Sequence, residues 1–233
     1  MDWKRIKVST DGTQFTFGGK VLYNRKFKEV LKFHEPGLAP VKDKSGAYHI
    51  EFGGSELYAE RYDRTFGYYC NRAAVVKNND WFHLNESGQR AYVDSFSWVG
   101  NFQEDFCPAR NMENKSFHIN LNGQRTYSQN YIYTGDYKDG IACAKQEDDM
   151  TYHIDVNGHV LNGKPFVDLG LFHKNFATAK DEGGWHHINK SGAPLYSQRY
   201  HSIEPFYNGC ARVETFDNEF HIINEIGRLV LEV

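Results

Sequence analysis

One four-residue pattern recurs along the chain: an aromatic residue or histidine, then histidine, an aliphatic residue and usually a polar residue. Phe117-His118-Ile119-Asn120 is a well-formed copy. The central histidines are His49, His83, His118, His153, His187 and His221, so the successive steps are 34, 35, 35, 34 and 34 residues. Spacing this regular is typical of repeat architectures, in which each copy forms one supersecondary unit. The chain is therefore predicted to fold as tandem repeats.

Alignment on the histidines divides the 233 residues into seven units. The units lie near 2–36, 37–70, 71–105, 106–139, 140–174, 175–208 and 209–233. In the first unit Phe15-Thr16-Phe17 stands in place of the pattern, with Thr16 at the histidine position. Because the repeat runs from end to end, we predict a single β-repeat domain that spans 1–233.

Each unit is predicted to contain short strands separated by turns. In the best-formed unit, 140–145 and 152–155 alternate in the manner of strands, and a third segment follows Gly158. Asn157-Gly158 predicts a type I′ turn, in which both central residues have positive φ. Aromatic residues bracket the link that ends each unit, and no stretch keeps a helical period for ten residues. The fold class is therefore all-β.

Two arrangements can use a unit of this length. Three or four short strands per unit suit a seven-bladed, propeller-like ring, which we favour. The same units can stack instead into an open β-solenoid, which remains the alternative.

Composition and charge exclude several classes of partner. The 27 basic and 30 acidic residues give a formal charge of -3 without a basic block, so nucleic acid is not an expected partner. No apolar run reaches the 18 or so residues that a membrane span needs, and no apolar signal region opens the chain. The four cysteines show no CxxC spacing. We therefore expect a cytoplasmic protein without a membrane partner or cofactor.

The repeat resembles the WG (or KWG) repeat proteins of bacteria. Residues 37–42 read Gly-Leu-Ala-Pro-Val-Lys, like that family's first segment, and 131–140 match its aromatic link followed by Lys-Asp-Gly. The name-giving Trp-Gly pair is altered, because Phe82 follows Trp81 and His186 follows Trp185. The chain is thus similar to a divergent branch with an aromatic-His pair in place of Trp-Gly. The resemblance implies repeated β-structure and binding, with no enzymatic activity to transfer.

The histidine column is the sharpest candidate site. Histidines at equivalent positions can bond to the backbone of a neighbouring unit, contact a ligand or bind metal. A metal needs several converging ligands, and one ligand per repeat rarely converges, so we assign no metal site. The structural role is favoured. Binding candidates are the six histidines together with three aromatic residues expected to be exposed, Trp98, Tyr133 and Tyr68.

No motif of nucleophilic, metallopeptidase or phosphate-binding chemistry occurs in the sequence. Catalysis normally needs one asymmetric constellation, and function in a repeat protein is expected where the copies differ. We predict a non-catalytic scaffold that binds a protein partner. A lectin-like glycan binder is the alternative, and an enzyme whose catalytic residues break the repeat is a third hypothesis.

Overall fold

Short antiparallel strands joined by tight turns make up the regular structure of the chain. The computed structural model describes residues 2–232, which contain 22 strands in seven sheets, one 3₁₀ turn (Trp3–Arg5) and no α-helix. The all-β class predicted from the sequence is confirmed. Within the described range, no helix is long and apolar enough to cross a membrane.

The chain divides into two compact units, Met1–Arg125 and Thr126–Val233. The first compact unit holds four three-stranded sheets. Its strands are β1 (Lys7–Val8), β2 (Phe15–Phe17), β3 (Lys20–Val21), β4 (Glu29–Val30), β5 (Leu38–Asp43), β6 (Gly46–Glu51), β7 (Arg64–Tyr69), β8 (Arg72–Lys77), β9 (Asp80–Leu84), β10 (Trp98–Val99), β11 (Phe106–Arg110) and β12 (Ser116–Asn120).

The second compact unit holds two three-stranded sheets and one four-stranded sheet. Its strands are β13 (Tyr133–Thr134), β14 (Ala142–Lys145), β15 (Thr151–Ile154), β16 (Asp168–Leu169), β17 (Phe176–Asp181), β18 (Gly184–Asn189), β19 (Ser202–Ile203), β20 (Cys210–Glu214), β21 (Phe220–Asn224) and β22 (Leu229–Glu232).

The sheets are offset from the units read off the sequence. In the order β10-β11-β12, the edge strand β10 comes from the aromatic link that ends one sequence unit, whereas β11 and β12 belong to the next. Trp98 lies opposite Arg110, and Arg110 lies opposite Ser116. Every sheet except the first begins with such a link strand. Backbone pairing therefore decides which strands form one sheet.

The third segment of most units is reduced to a single bridge, as between Ile50 and Glu56 or between Leu84 and Arg90. Within residues 2–232 it extends into a strand only as β3 in the first sheet and β22 in the last. The Leu57 amide donates to the His49 carbonyl, which turns the segment back over the histidine.

One buried aliphatic column and one buried column of small residues form the core of six sheets. Ile50 lies opposite Ala39, and Ile119 lies opposite Cys107. The aliphatic residues are at most 1% exposed: Ile50, Leu84, Ile119, Ile154, Ile188 and Ile223. Each such side chain contributes about 1.5–3 kcal/mol of burial free energy. These pairs also fix which residues of different units are equivalent.

An Asx-type turn follows the second strand. Oδ1 of Asn120 accepts hydrogen bonds from the Asn122 and Gln124 amides, and Gly123 adopts a φ of 76°. Neither Asn122 nor Asn157 is among the described residues with positive φ, so the type I′ turn predicted at Asn157-Gly158 is wrong. The polar residue that ends the four-residue pattern stabilises this turn, which explains its recurrence.

Candidate functional site

The histidine column lies in the interior. His49, His83, His118, His153 and His187 are each 0–2% exposed. They sit on the strand that also carries the aliphatic column, and His83 lies opposite Ala74. Buried imidazoles of this kind need hydrogen-bond partners from the protein itself.

Both ring nitrogens of His83 have a partner. Nδ1 lies 2.5 Å from the Tyr92 hydroxyl, and Nε2 lies 3.0 Å from the Gly100 carbonyl oxygen. Because a carbonyl can only accept, Nε2 donates, and the neutral Nδ1 accepts from the tyrosine O–H. His49 bonds to Tyr58 and the Phe66 carbonyl in the same way.

His187 is held in the same way, with Nδ1 2.5 Å from the Tyr196 hydroxyl and Nε2 3.0 Å from the Glu204 carbonyl. In each case the tyrosine stands nine residues after the histidine and the carbonyl seventeen residues after it. The column therefore ties the second strand of one sheet to the link strand of the next.

Burial lowers the pKa of these histidines, since the charged imidazolium would lose its hydration. The pKa falls to about 4 for His49, about 3 for His83 and about 4 for His187, in each case mainly through desolvation. The hydrogen bond to the backbone carbonyl opposes the shift without cancelling it. These three histidines are therefore neutral at physiological pH.

Each of these histidines forms a triad with its tyrosine hydroxyl and its backbone carbonyl. The tyrosine of each triad also packs on the turn glycine of the following repeat unit. A Cβ on Gly88 would lie 2.2 Å from Cδ1 of Tyr58, and a Cβ on Gly123 would lie 2.4 Å from Cγ of Tyr92. Glycine is thus needed at this position both for its positive φ and for the close approach of the ring. Histidine, tyrosine and glycine form one repeated structural device.

An aromatic ring nineteen residues after the histidine covers its other side. Phe102 lies 4.7 Å from His83, and Phe206 stacks on His187 at 3.8 Å, measured between ring centroids. Tyr68 occupies this position beside His49, and it is 2% exposed. The expected exposure of Tyr68 is therefore wrong, because its strand directs it onto the imidazole.

The two ends of the column differ from the alignment made on sequence spacing. Phe15, rather than Thr16, takes the histidine position, since its ring packs on Tyr23 and Phe33 and its carbonyl accepts from the Leu22 amide. In the last unit Ile222 takes it, opposite Leu231. Apolar residues therefore replace the histidine at both ends.

His221 accordingly stands one position before the column. It pairs with Val213, its side chain is 21% exposed, and Nε2 lies 3.6 Å from a Glu219 carboxylate oxygen. Alignment by spacing placed it in the column because the stretch from Ala211 to Ile223 is one residue longer than the one from Ala177 to Ile188. In the described part of the chain, His221 therefore makes none of the tyrosine and carbonyl hydrogen bonds that hold the column histidines.

The unit of His153 lacks the tyrosine. Nε2 of His153 bonds to the Gly170 carbonyl at 2.9 Å, but Asn162 stands at the tyrosine position. Among the described residues, neither Nδ1 of His153 nor Nδ2 of Asn162 has a hydrogen-bond partner, although both atoms are buried. This copy of the device is therefore incomplete.

The link strands carry a second column, whose residues differ from sheet to sheet. Trp98 and Tyr133 occupy equivalent edge positions, opposite Arg110 and Lys145. The whole column reads Glu29, Arg64, Trp98, Tyr133, Asp168 and Ser202. Tyr133 is 50% exposed and Trp98 partly exposed. Aligning the links would have revealed this variation from the sequence.

Trp98 lines a groove in the first compact unit. Its ring centroid lies 6.5 Å from that of Trp81, and Trp81 stacks on Phe66 at 5.5 Å. The groove has a volume of about 360 Å³, and Gly100 and Asn101 form part of its wall. Phe66 and Trp81 were not named as site residues from the sequence, since neither stands close to Trp98 along the chain.

Arg64 borders the groove, with its guanidinium carbon 5.0 Å from the Phe66 ring centroid and 5.8 Å from that of Trp81. The arrangement offers aromatic faces beside a fixed cation. Within the described part of the chain, no group of three or more His, Cys, Asp or Glu side chains could hold a metal ion.

Comparisons with known proteins support the repeat class and the fold. Residues 188–218 match the family model described as WG containing repeat. No curated protein matches the chain. The matched segment is one copy of the repeat, which supports the resemblance to WG repeats at a coarse level.

Several solved structures share the fold at low sequence identity. The computationally designed Ika8 protein is 15% identical with a TM-score of 0.57, over 98% of this chain and 83% of that one. BamB from Moraxella catarrhalis is 12% identical with a TM-score of 0.54, over 100% and 86%. Hsv2p from Kluyveromyces lactis is 8% identical with a TM-score of 0.50, over 97% and 93%. The fold is therefore propeller-like, and closure into a ring stays a prediction.

Proposed function

We propose that this chain is a non-catalytic scaffold of divergent WG-type repeats, with aromatic-His in place of Trp-Gly, that binds a protein partner through its link strands. One observation carries the proposal: a repeated interior supports an edge column whose residues change from sheet to sheet. Glu29, Arg64 and Trp98 follow one another at equivalent positions in the first compact unit. Residues that the fold leaves free to vary can supply specificity.

The Trp81–Trp98 groove is the binding site that we propose within this column. Tryptophan and arginine are the residues that most often dominate the binding energy of protein interfaces. Both tryptophans are partly exposed and held by β-strands, so little side-chain entropy is lost on binding. Tyr133 offers a comparable exposed ring in the second compact unit.

Glycan binding and catalysis remain as the alternatives. Sugars also stack on aromatic rings, but their hydroxyl groups need several polar partners. Among the described residues that line the groove, Asn101 is the one side-chain amide. The described residues that line the groove include no carboxylic acid, histidine, serine or cysteine. These residues therefore supply no general acid, general base or nucleophile of the usual kinds, which favours a binding role.

We also propose a reducing, cytoplasmic setting. Cys70, Cys107, Cys143 and Cys210 are all free thiols, and Cys107 and Cys143 are buried in the core. Burial raises the pKa of the Cys143 thiol to about 12, so this side chain behaves as an apolar core residue.

Photo-crosslinking in the source cells tests the protein-binding role. A benzophenone amino acid is placed at Trp98, and, as a matched control, at Val93, which is 91% exposed and lies outside the column. We expect discrete protein adducts from position 98 and none of them from position 93.

Equal adduct patterns at the two positions would contradict the proposal. A glycan array on which the unmodified protein binds in a saturable way, with binding lost in Trp98→Ala, would establish the lectin-like alternative instead.

A further inference from the structure

Among the described residues, two arginines at or beside the Trp81–Trp98 groove have no carboxylate partner: Arg64 lines the groove, and Arg110 contacts the ring of Trp98. Elsewhere, Arg25 pairs with Asp43 at 2.6 Å, and Arg199 pairs with Asp181 at 2.8 Å. Among the described residues, neither Arg64 nor Arg110 has an acidic group within ion-pair distance. Nε of Arg110 is moreover buried without a hydrogen-bond partner. The groove therefore carries positive charge that the fold does not compensate.

Aromatic rings hold both guanidinium groups. Arg64 lies over Phe66 and Trp81, and the guanidinium carbon of Arg110 lies 5.9 Å from the Trp98 ring centroid. Arg110 and Trp98 are directly opposed across β10 and β11, so their side chains leave the same face of the sheet. Guanidinium groups stacked on rings keep their N–H donors for a ligand, and these donors match the geometry of a carboxylate.

The rings between the two cations favour a flat apolar group. The planes of Trp81 and Trp98 are tilted by 48°, with 6.5 Å between their centroids. A proline or aromatic side chain can contact both faces, as rings do in other aromatic-lined grooves.

A second hollow adjoins the first. It has a volume of about 220 Å³, and Glu29, Lys42 and Asp63 are among the residues that line it. It shares Arg64 and Phe66 with the groove. The two hollows thus meet at Arg64. An extended chain that fills the groove can continue across Arg64 toward the strand β4, which favours a linear segment over a single small molecule.

We infer that the partner presents a linear acidic segment that contains a proline or aromatic ring. The ring contacts Trp81 and Trp98, and carboxylates on either side pair with Arg64 and Arg110. The inference rests on the proposed protein-binding function and names the chemistry of the partner at that site.

Selection from a random dodecapeptide display library tests this chemistry. The library is bound to the full-length protein after depletion on the Trp98→Ala variant. We expect the selected peptides to be enriched in Asp and Glu and to contain proline or an aromatic residue. Their affinity should fall about tenfold in Arg64→Glu, and it should weaken as salt rises, because exposed charges are screened.

Arg212→Glu is the matched control. Arg212 also lies over an aromatic ring, 4.2 Å from the centroid of Phe220, but it belongs to the second compact unit and has Glu204 3.8 Å away. Its reversal should leave the affinity of the selected peptides unchanged. Thermal melts of all three variants establish whether each is folded. If Trp98→Ala is unfolded, the surface variant Arg64→Glu still tests the inference.

The outcomes separate the inference from the function on which it rests. Peptides that depend on Trp98 but show no acidic enrichment and bind Arg64→Glu normally would overturn the acidic partner and leave the protein-binding role intact. A library that yields no peptide above the Trp98→Ala background overturns the inference. If, in addition, the crosslinking experiment gives no protein adducts from position 98, the proposed function is overturned.

Discussion

The interior histidine column and the edge column of the link strands follow opposite rules. His83 sits between Tyr92, the Gly100 carbonyl and Phe102, so each side of the ring has a fixed neighbour. Trp98 sits at a sheet edge, where the equivalent residues are chemically unrelated. The interior position recurs because its partners recur. The edge position varies because the fold requires little of it.

This difference separates stability from recognition. Removing a buried polar group leaves its hydrogen-bond partners unsatisfied, whereas changing an edge side chain leaves the backbone hydrogen bonds of the sheet in place. We therefore expect large effects on the free energy of unfolding from the interior column and small ones from the edge column, with binding affected in the reverse order.

Acid should have the largest effect. The folded-state pKa values of about 4 for His49, 3 for His83 and 4 for His187 lie below the unfolded value of about 6.5. The unfolded chain therefore binds more protons in acid, so this stability is fully present above pH 6.5 or so and is lost as the pH falls toward 4. Each histidine should account for about 2 kcal/mol by pH 5.

Urea unfolding between pH 8 and pH 5 measures this loss. A free energy of unfolding that stays constant over that range would show that the histidines are not buried in the neutral form, and the contrast between the two columns would fail.

Replacement of one column histidine should come next. His83→Ala leaves the Tyr92 hydroxyl and the Gly100 carbonyl without a partner and opens a cavity, so we expect a loss of about 3 kcal/mol. The control, His221→Ala, removes a partly exposed side chain outside the column and should cost less than about 0.5 kcal/mol. Equal losses in urea unfolding would contradict the distinction between these two histidines.

The turn glycines should show an intermediate effect. Gly88 and Gly163 both have positive φ, at 73° and 64°, but a Cβ on Gly88 meets Tyr58 at 2.2 Å, whereas a Cβ on Gly163 meets no atom within 4 Å. Gly163→Ala should therefore cost about 1 kcal/mol from backbone strain alone, and Gly88→Ala about 2 kcal/mol or more. Chemical denaturation of the two variants measures how much the Tyr58–Gly88 packing contributes to the free energy of unfolding. If the two variants lose the same amount, this packing makes no measurable contribution.

The smallest effect should be a gain. Asn162→Tyr restores the tyrosine that the unit of His153 lacks and gives Nδ1 of that histidine a donor, so we expect about 1 kcal/mol of stabilisation. Asn162→Phe supplies the same ring without the hydroxyl. Thermal melts in which Phe stabilises as much as Tyr would show that packing, rather than the hydrogen bond, is what this copy lacks.

Much of the scaffold could be predicted from the sequence. The steps of 34 or 35 residues predict tandem β-units, and the recurrence of histidine argues for a structural role over a unique active site. The turn at Gly158 was also predicted correctly, although its type was not. These features repeat in the sequence because each satisfies the same local geometry in every unit.

The ends of the column could not be predicted from spacing. Phe15 and Ile222 replace histidine with apolar side chains, which an alignment on histidine does not detect. A turn one residue longer moves His221 out of the column. Tyr68 and Trp98 both stand on or beside link strands, yet Tyr68 is buried and Trp98 is not, because opposite sides of a strand meet different neighbours.

The sequence by itself determined the all-β class, the length of the unit and the columns that recur, because strand periodicity and turn chemistry are local properties. The tertiary structure decided which strands share a sheet, which rings cover each imidazole, and that Phe66, Trp81 and Trp98 form one groove beside Arg64. Those relations join residues far apart in the chain, and they depend on strand pairing and on packing between successive units, neither of which a repeat period encodes.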